Sequence, residues 1–397
     1  MHSLFYHDHQ STPDRGMPLQ TWNPVVKDKL LPQLSFAERQ AFGPQIVKRG
    51  QATVMKESGL FAFPVTVPPP RTNIPPPGSR QKGPRFGKRM TSDLTAVVFN
   101  VERGQTLPEL LAYVSCHPLF AAADIVFANE LDDGCERSGN QDVSGALACA
   151  LNCYEVYGIE FVELVNSRDR KGYHGNSLFS RWPILKADVF YLPEEYNWYY
   201  DAKQKRLGGR LAVFAVIDAP GGEIGAVSVH FENRTDATGR LSQMDALLNQ
   251  MESFFPPNMP IILGGDFNTN GYDGRDYTAV ERMLKRQKAG ASPASYIRDE
   301  MIFSLAEDFG YTWQDACELD WPTRRAHFSE EIYDENRRDT LFLHLDWLFS
   351  RRLRTRAFGM ISTILTDIKQ EIYHPLIESS KQNELSDHNL VWATYRL

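Results

Sequence analysis

The sequence predicts an α/β fold in which mixed β-sheets are covered by helices, and two observations carry that prediction. Apolar runs of strand length come in two kinds: continuously apolar ones such as RLAVFAVI, as a strand covered on both faces needs, and alternating ones. Between them lie stretches with helical spacing, such as LPELLAYV and GRLSQMDALLNQMESFF, the second repeating Leu241, Met244, Leu247, Leu248 and Met251. At 397 residues, 42% hydrophobic and 23% charged, the chain can bury one large core and still carry an appendage.

The appendage comes first. Residues 1–66 read as an N-terminal extension whose single helical pattern, SFAERQAFGPQIVK at 35–48, is too short to form a domain. Residues 67–92 read as a Pro/Gly-rich basic linker, because VPPPRTNIPPPGSRQKGPRFGKR favours extended backbone and has nothing to build a core with. Residues 93–397 are the regular domain. Strand TAVVFNVE leads to helix LPELLAYV, strand ADIVFANE and a helix read over 142–158, DVSGALACALNCYEVYG. Strands RLAVFAVI and IGAVSVH follow, then the long helix, the strand IILGGD, and the closing strands LHLDWLFS and NLVWATYRL.

Charge and composition weigh on the possible functions without closing them. A net charge of −7, from 43 basic and 50 acidic residues, gives no overall positive field to advertise nucleic-acid binding. The basic runs at 71–89 and 351–356 read as solvated linker and strand faces. No run approaches the roughly 18 apolar residues of a membrane helix, and the first residues lack the pattern of a signal peptide, so a cytoplasmic location is expected. The five cysteines, Cys116, Cys135, Cys149, Cys153 and Cys317, read as buried thiols, with no CxxC spacing for zinc.

Polar residues fall repeatedly at strand ends. Asn100 and Glu102, Asn129 and Glu130, His230 and Asn233, Asp266 and Asn268, then Asp346 and Asp387-His388 all terminate or border apolar strands. Any single pair could be a turn former or a cap. Six coincidences call for a shared cause, and carboxylates without cysteine suit a hard cation such as Mg²⁺, with Glu130 the strongest ligand candidate. His388 beside Asp387 can handle a water proton if Asp346 orients the ring, while Asn100, Asn268 and His230 can donate to phosphate oxygens. The chemistry that uses all of these is metal-assisted phosphoester hydrolysis.

The ordered set FNVE, FANELDDG, GNSLFSRWPI, VHFENRTD, GGDFN, LDWLF and SDHNL resembles the endonuclease/exonuclease/phosphatase superfamily, whose fold is that of DNase I, abasic endonucleases, sphingomyelinases and inositol polyphosphate phosphatases. SGNQDVSGALACALNCYEVYGIEFVEL and RLGGRLAVFAVI are similar to its uncharacterised bacterial members. The resemblance implies that residues 93–397 are a catalytic domain forming a four-layer α/β sandwich, two packed mixed β-sheets flanked by helices, with the site on one edge. It implies Glu130 as principal Mg²⁺ ligand, with Mn²⁺ able to substitute, helped by Asn100 and Asp387. His388 is similar to the family's general base and Asp346 to the acid that holds it. Asp266 would orient or deprotonate the attacking water, Asn268 would hold a phosphate oxygen, His230 would stabilise the pentacovalent state, and Asn233 loosely matches a phosphate-binding asparagine.

Two positions depart from the family pattern: Asn129 stands where a glutamine is frequent, and Glu102 where several members carry an aspartate or a smaller residue. Trp198, Tyr199 and Tyr200 near Lys203, Lys205 and Arg206 could stack nucleobases, pack on a neighbouring loop or meet a lipid surface. Arg324, Arg325 and His327 read as part of a solvated loop over 320–340 bordering the site, Arg240 and Gln243 as anchors of the helix after His230, and Asn176 as a turn or backbone anchor. The leading expectation is a nuclease acting on DNA or RNA. The alternatives are a lipid or small-molecule phosphoesterase, and a non-catalytic binding module, which the retained polar set disfavours.

Overall fold

The computed structural model describes residues 93–163, 172–198, 201–202, 204, 206–270, 276–327 and 339–397; the N-terminal extension, its expected helix and the linker lie outside them. Two sheets and a hairpin organise the described chain. Strands β1 (Asp93–Arg103), β2 (Ile125–Asp133), β3 (Tyr154–Glu163), β4 (Tyr173–Ser180), β6 (Arg206–Gly208), β13 (Arg354–Ile361) and β14 (Leu390–Arg396) form one sheet in the order β13-β14-β1-β2-β4-β3-β6. Strands β5 (Ile184–Tyr191), β7 (Leu211–Ala219), β8 (Gly222–His230), β9 (Ile261–Asp266) and β12 (Asp346–Arg351) form the other in the order β12-β9-β8-β7-β5. Both sheets are mixed, with β1 parallel to β2 and β8 parallel to β9. A separate hairpin pairs β10 (Arg324–His327) with β11 (Thr340–Leu343).

Alternation along the strands dictates the layers. Leu94, Ala96 and Val98 join Phe127, Leu178, Val213, Ala226, Ile262 and Leu348 in the core between the sheets. Val97, Phe99 and Val126, on the opposite face, pack on α1 (Leu107–Cys116), α3 (Val143–Leu151), α7 (Leu365–Glu371) and α8 (Pro375–Ser379), which follow the short α2 (Pro118–Ala122) or close the chain. The outer face of the second sheet, with Phe214, Val227 and Leu263, packs on α4 (Ala237–Phe254) and α6 (Ile302–Asp308), while α5 (Tyr277–Lys288) covers the hairpin through Val280, Met283 and Leu284. The order helix, sheet, sheet, helix is the four-layer α/β sandwich. Each fully buried large aliphatic or aromatic side chain stabilises it by about 1.5–3 kcal/mol, enough in sum to tolerate a polar edge.

The Gly264-Gly265 pair lets β9 sit close to both its neighbours. A Cβ on Gly264 would meet Phe127 of the facing sheet at 2.8 Å, and Gly265 has φ +149° with its Cβ position 1.9 Å from the Val229 carbonyl oxygen. Some expectations change. The helix read over 142–158 ends at Leu151, because Asn152 takes a left-handed conformation (φ +51°) and the Tyr154-Glu155-Val156-Tyr157 run enters β3. The supposed loop over 320–340 contains β10, and LHLDWLFS divides between β11 and β12. Of the cysteines, only Cys135 and Cys317 are buried; Cys116, ending α1, and Cys149, on α3, are exposed, and Cys153 is half-buried. No helix among the described residues is long and apolar enough to cross a membrane.

Candidate active site

Strand register brings the polar ends together at one edge of the sandwich. On the first sheet Asn100 is level with Asn129; on the second His230 is level with Asp266, and Asp266 with Asp346. Asn129 sews the two rows: its Nδ2 donates to the Val229 carbonyl at 2.9 Å and to Asn176 Oδ1 at 3.0 Å, and its Oδ1 accepts from the Asp266 N–H at 3.0 Å. The shorter amide is therefore a cross-sheet bridge. Asn176, inside β4 and outside any turn, is its backbone-side anchor and reaches the Leu211 carbonyl at 3.4 Å.

Glu130 reaches the opening because the strand bulges there. Between Ala128 and Leu131 the β2–β4 register shifts, so that Asn129 and Glu130 face Asn176 alone, and Glu130 adopts φ +57°. Its carboxylate accepts from Asn100 Nδ2 at 3.4 Å and lies 3.7 Å from Arg103 Nε. Burial, the largest single influence, opposes its ionisation, but Arg103 together with His230, His174 and His388 holds the carboxyl well below the usual range. Asn100 Nδ2 also donates to Asp266 Oδ2 at 3.1 Å, while its Oδ1 takes the Glu102 N–H at 3.1 Å. In this arrangement Asn100 links the two carboxylates.

Asp266 is the centre of the cluster. Its Oδ2 lies 3.4 Å from His230 Nε2 and 3.8 Å from His388 Nε2, and its Oδ1 accepts the Asn268 N–H at 2.9 Å. Burial, then the Asp346 charge, pushes its carboxyl up to about 7. The chain turns sharply after it: β9 ends at Asp266, Asn268 has φ +49° and its Nδ2 donates to the Phe231 carbonyl at 2.9 Å. His388 Nδ1 faces Asp346 Oδ2 at 2.8 Å. Burial favours the neutral ring, but Asp346 and then Asp387 raise it to about 10. His230 is held the opposite way, since burial and the Arg210 guanidinium keep it well below its usual value.

At the mouth, Glu102 (φ +47°) accepts the Asp387 N–H at 3.0 Å, and burial followed by the Asp387 charge raises its carboxyl to about 8. Arg324 Nε reaches Asp387 Oδ2 at 3.2 Å. Arg325 is buried, correcting the solvated-loop reading, because its guanidinium meets Glu384 at 2.6 Å, Thr363 Oγ1 and the Ser386 carbonyl at 2.7 Å, and Asn389. His327 pairs with Glu384 at 2.8 Å. The Oδ1 of Asn233 is buried and has no partner among the described residues. Trp198 turns inward, donating to Glu232 at 2.7 Å with Arg206 over its ring, while Tyr199, Tyr200, Lys203 and Lys205 lie outside the described residues. Gln243 accepts the Glu232 N–H at 2.9 Å, and Arg240 pairs with Glu300, as expected of anchors.

The sequence reading missed Arg210, Glu160, Glu232 and Ser386. Glu160 was hidden because it occupies a second bulge, in β3 between Ile159 and Phe161, where no strand-end pattern marks it.

Two places fit a divalent cation. Glu130 and Asp387, with side chains 21% and 16% exposed, offer hard oxygens at the opening. Asp266, Asp346 and His388 each offer one atom within 4.8 Å of the others; there His388 takes one Asp346 oxygen, and the Asp346 Oδ1 is buried without a partner among the described residues.

Carboxylates, amides and two imidazoles gathered at the open edge between two mixed sheets define a phosphoester hydrolase. The profile of the endonuclease/exonuclease/phosphatase family matches residues 97–388, from within β1 to His388, and the chain belongs to that family. Its members typically depend on a divalent metal. Among solved structures it is similar to the endonuclease/exonuclease/phosphatase from Beutenbergia cavernae, at 18% identity over 77% of this chain and 72% of that one, with a TM-score of 0.49. It is also similar to the human nocturnin catalytic domain (13% identity, 76% and 93% covered, TM-score 0.47) and to D. rerio TDP2 with a single-strand DNA product (14%, 77% and 100%, TM-score 0.46). No curated protein matches the chain.

Proposed function

We propose that the chain is a Mg²⁺-dependent phosphodiesterase, with Mn²⁺ able to substitute, acting on DNA or RNA. The observation that supports it is the placing of Asp266, whose Oδ2 is met by Asn100, His230 and His388 within 3.1–3.8 Å beside the open Glu130 carboxylate. Glu130 and Asp387 would hold the cation, whose charge offsets that building on the phosphate oxygens. A proton of the attacking water passes to Asp266, whose raised affinity for protons suits it to accept one. The water oxygen bonds to phosphorus, the ester P–O bond breaks, and the leaving oxygen departs with the electron pair and is protonated from solvent. His388, kept protonated by Asp346, donates to a non-bridging oxygen, a different role from the general base expected of it. His230 donates to a second oxygen, Asn268 fixes the turn that holds Asp266, and Asn233 would donate an amide N–H to the phosphate.

A second reading, hydrolysis of a lipid or small-molecule phosphoester, gains from the net charge of −7 and from Trp198 being engaged internally. A substrate panel separates the two: single-stranded and duplex DNA, RNA, an abasic duplex, sphingomyelin and inositol phosphates, with Mg²⁺, Mn²⁺ or EDTA. Cleavage of nucleic acid that EDTA stops, reduced about 10²–10⁴-fold in Asp266→Asn and His388→Ala, is the expected result. Turnover confined to the other substrates transfers the proposal to the second reading, and folded protein inert on the whole panel ends both.

A further inference from the structure

Two imidazoles face Asp266, and their other ring nitrogens meet partners of opposite charge. His388 Nδ1 meets the Asp346 carboxylate, an acceptor, at 2.8 Å. His230 Nδ1 meets Arg210 Nη1 at 3.0 Å. A guanidinium has only N–H groups to offer, so Nδ1 of His230 must accept and carry no proton. The ring then keeps its proton on Nε2, the nitrogen 3.4 Å from Asp266 Oδ2. Arg210 is well fixed for this task. The β7–β8 register, with Ala212 opposite Val229, brings Arg210 to the end of the hairpin that carries His230. Its side chain is 5% exposed; Nη1 also donates to Glu160 Oε2 at 3.4 Å, and Nε donates to Glu232 Oε2 at 3.4 Å. Glu232 is in turn held by the Trp198 indole and by Gln243.

We infer that Arg210 is a positioning residue that locks His230 in its Nε2–H tautomer, making it a neutral hydrogen-bond donor aimed at the reacting phosphate. The inference rests on the phosphoesterase reading for its purpose, but the tautomer itself is a property of the resting protein. Without Arg210, Nδ1 is left facing Glu160, whose Oε2 is 3.8 Å away. One proton would then be shared between the buried Glu160 carboxyl and Nδ1, so Nδ1 would no longer be held as a bare acceptor and Nε2 would no longer be held as the donor. Two histidines in one cleft would then both behave as His388 does, and the division of labour between them would be lost.

The test is the long-range proton–nitrogen correlation spectrum of the histidine rings in ¹⁵N-labelled protein, assigned with His230→Gln and His388→Gln. Wild type at neutral pH should show His230 with Nε2 protonated and Nδ1 a bare acceptor. Arg210→Met should move His230 toward the Nδ1-protonated or doubly protonated form while the His388 signals stay in place, and Arg210→Lys, which retains a donor, should restore the wild-type pattern in part. Turnover on whichever substrate is cleaved should fall about tenfold or more in kcat for Arg210→Met, with KM within about twofold. Wild-type His230 protonated at Nδ1 overturns the inference without needing any variant to fold, and so does a tautomer that Arg210→Met leaves unchanged. Because the spectrum needs no turnover, failure of the tautomer lock and failure of the phosphoesterase reading are told apart.

Discussion

Asn129 joins the sheets with one amide. Replacing it with alanine strands three buried groups at once: the Asp266 N–H, the Val229 carbonyl and the Asn176 amide oxygen. A buried polar group without its partner costs about 1–3 kcal/mol, partly relieved if water enters. Asn129→Ala should therefore lose about 3 kcal/mol of stability in denaturant unfolding, with the slope unchanged, and lose activity as Asp266 drifts. A loss under about 1 kcal/mol would show that the bridge is incidental. The sequence marked Asn129 as a departure from a family pattern. It could not say that a shorter amide reaches a carbonyl on the facing sheet, because Val229 is a hundred residues away and only the packing of two sheets makes them neighbours.

At the scale of elements, the hairpin β10–β11 is tied to the segment bearing Asp387 and His388. Arg325 N donates to the Asp387 carbonyl at 2.8 Å, Asn389 N donates to Thr323 at 2.7 Å, and the Arg325 guanidinium joins Glu384, Thr363, Ser386 and Asn389. Removing one partner of a buried charged network costs about 3–5 kcal/mol, and here the loss is local to the catalytic segment. Arg325→Ala should raise hydrogen exchange across 384–389 and reduce kcat, with α4 and the long strands keeping their protection; uniform loosening of the whole domain instead would refute a local tie. Elements divide clearly in how legible they were. Asp266, Asp346 and Asp387-His388 stood out because polar residues after an apolar run are a local pattern, readable without the fold. Arg325 and Glu160 did not: the first is buried by residues near 384–389, and the second projects inward only because β3 bulges within a stretch that local spacing assigned partly to a helix.

For the molecule as a whole, the polar edge sets how stability responds to pH. Glu160 is fully buried; burial raises its carboxyl to about 7 even though Arg210 pulls the other way. A carboxyl whose folded value lies above its unfolded one, about 4.3, adds most stability when both states are protonated. That contribution fades as pH rises from about 4, where the unfolded chain begins to ionise, and is gone above about 7, where the folded chain has ionised too. Glutamine reproduces the neutral carboxyl at every pH. Glu160→Gln should therefore change little at pH 5 and become progressively more stable than wild type toward pH 8, by up to roughly 3 kcal/mol. Thermal unfolding of the two proteins at pH 5, 6.5 and 8 reads the difference directly. A gap in Tm that is the same at all three would mean that Glu160 is already ionised at pH 5, stabilised by Arg210 more strongly than burial disfavours it, and that the buried edge costs the fold nothing as the pH is raised.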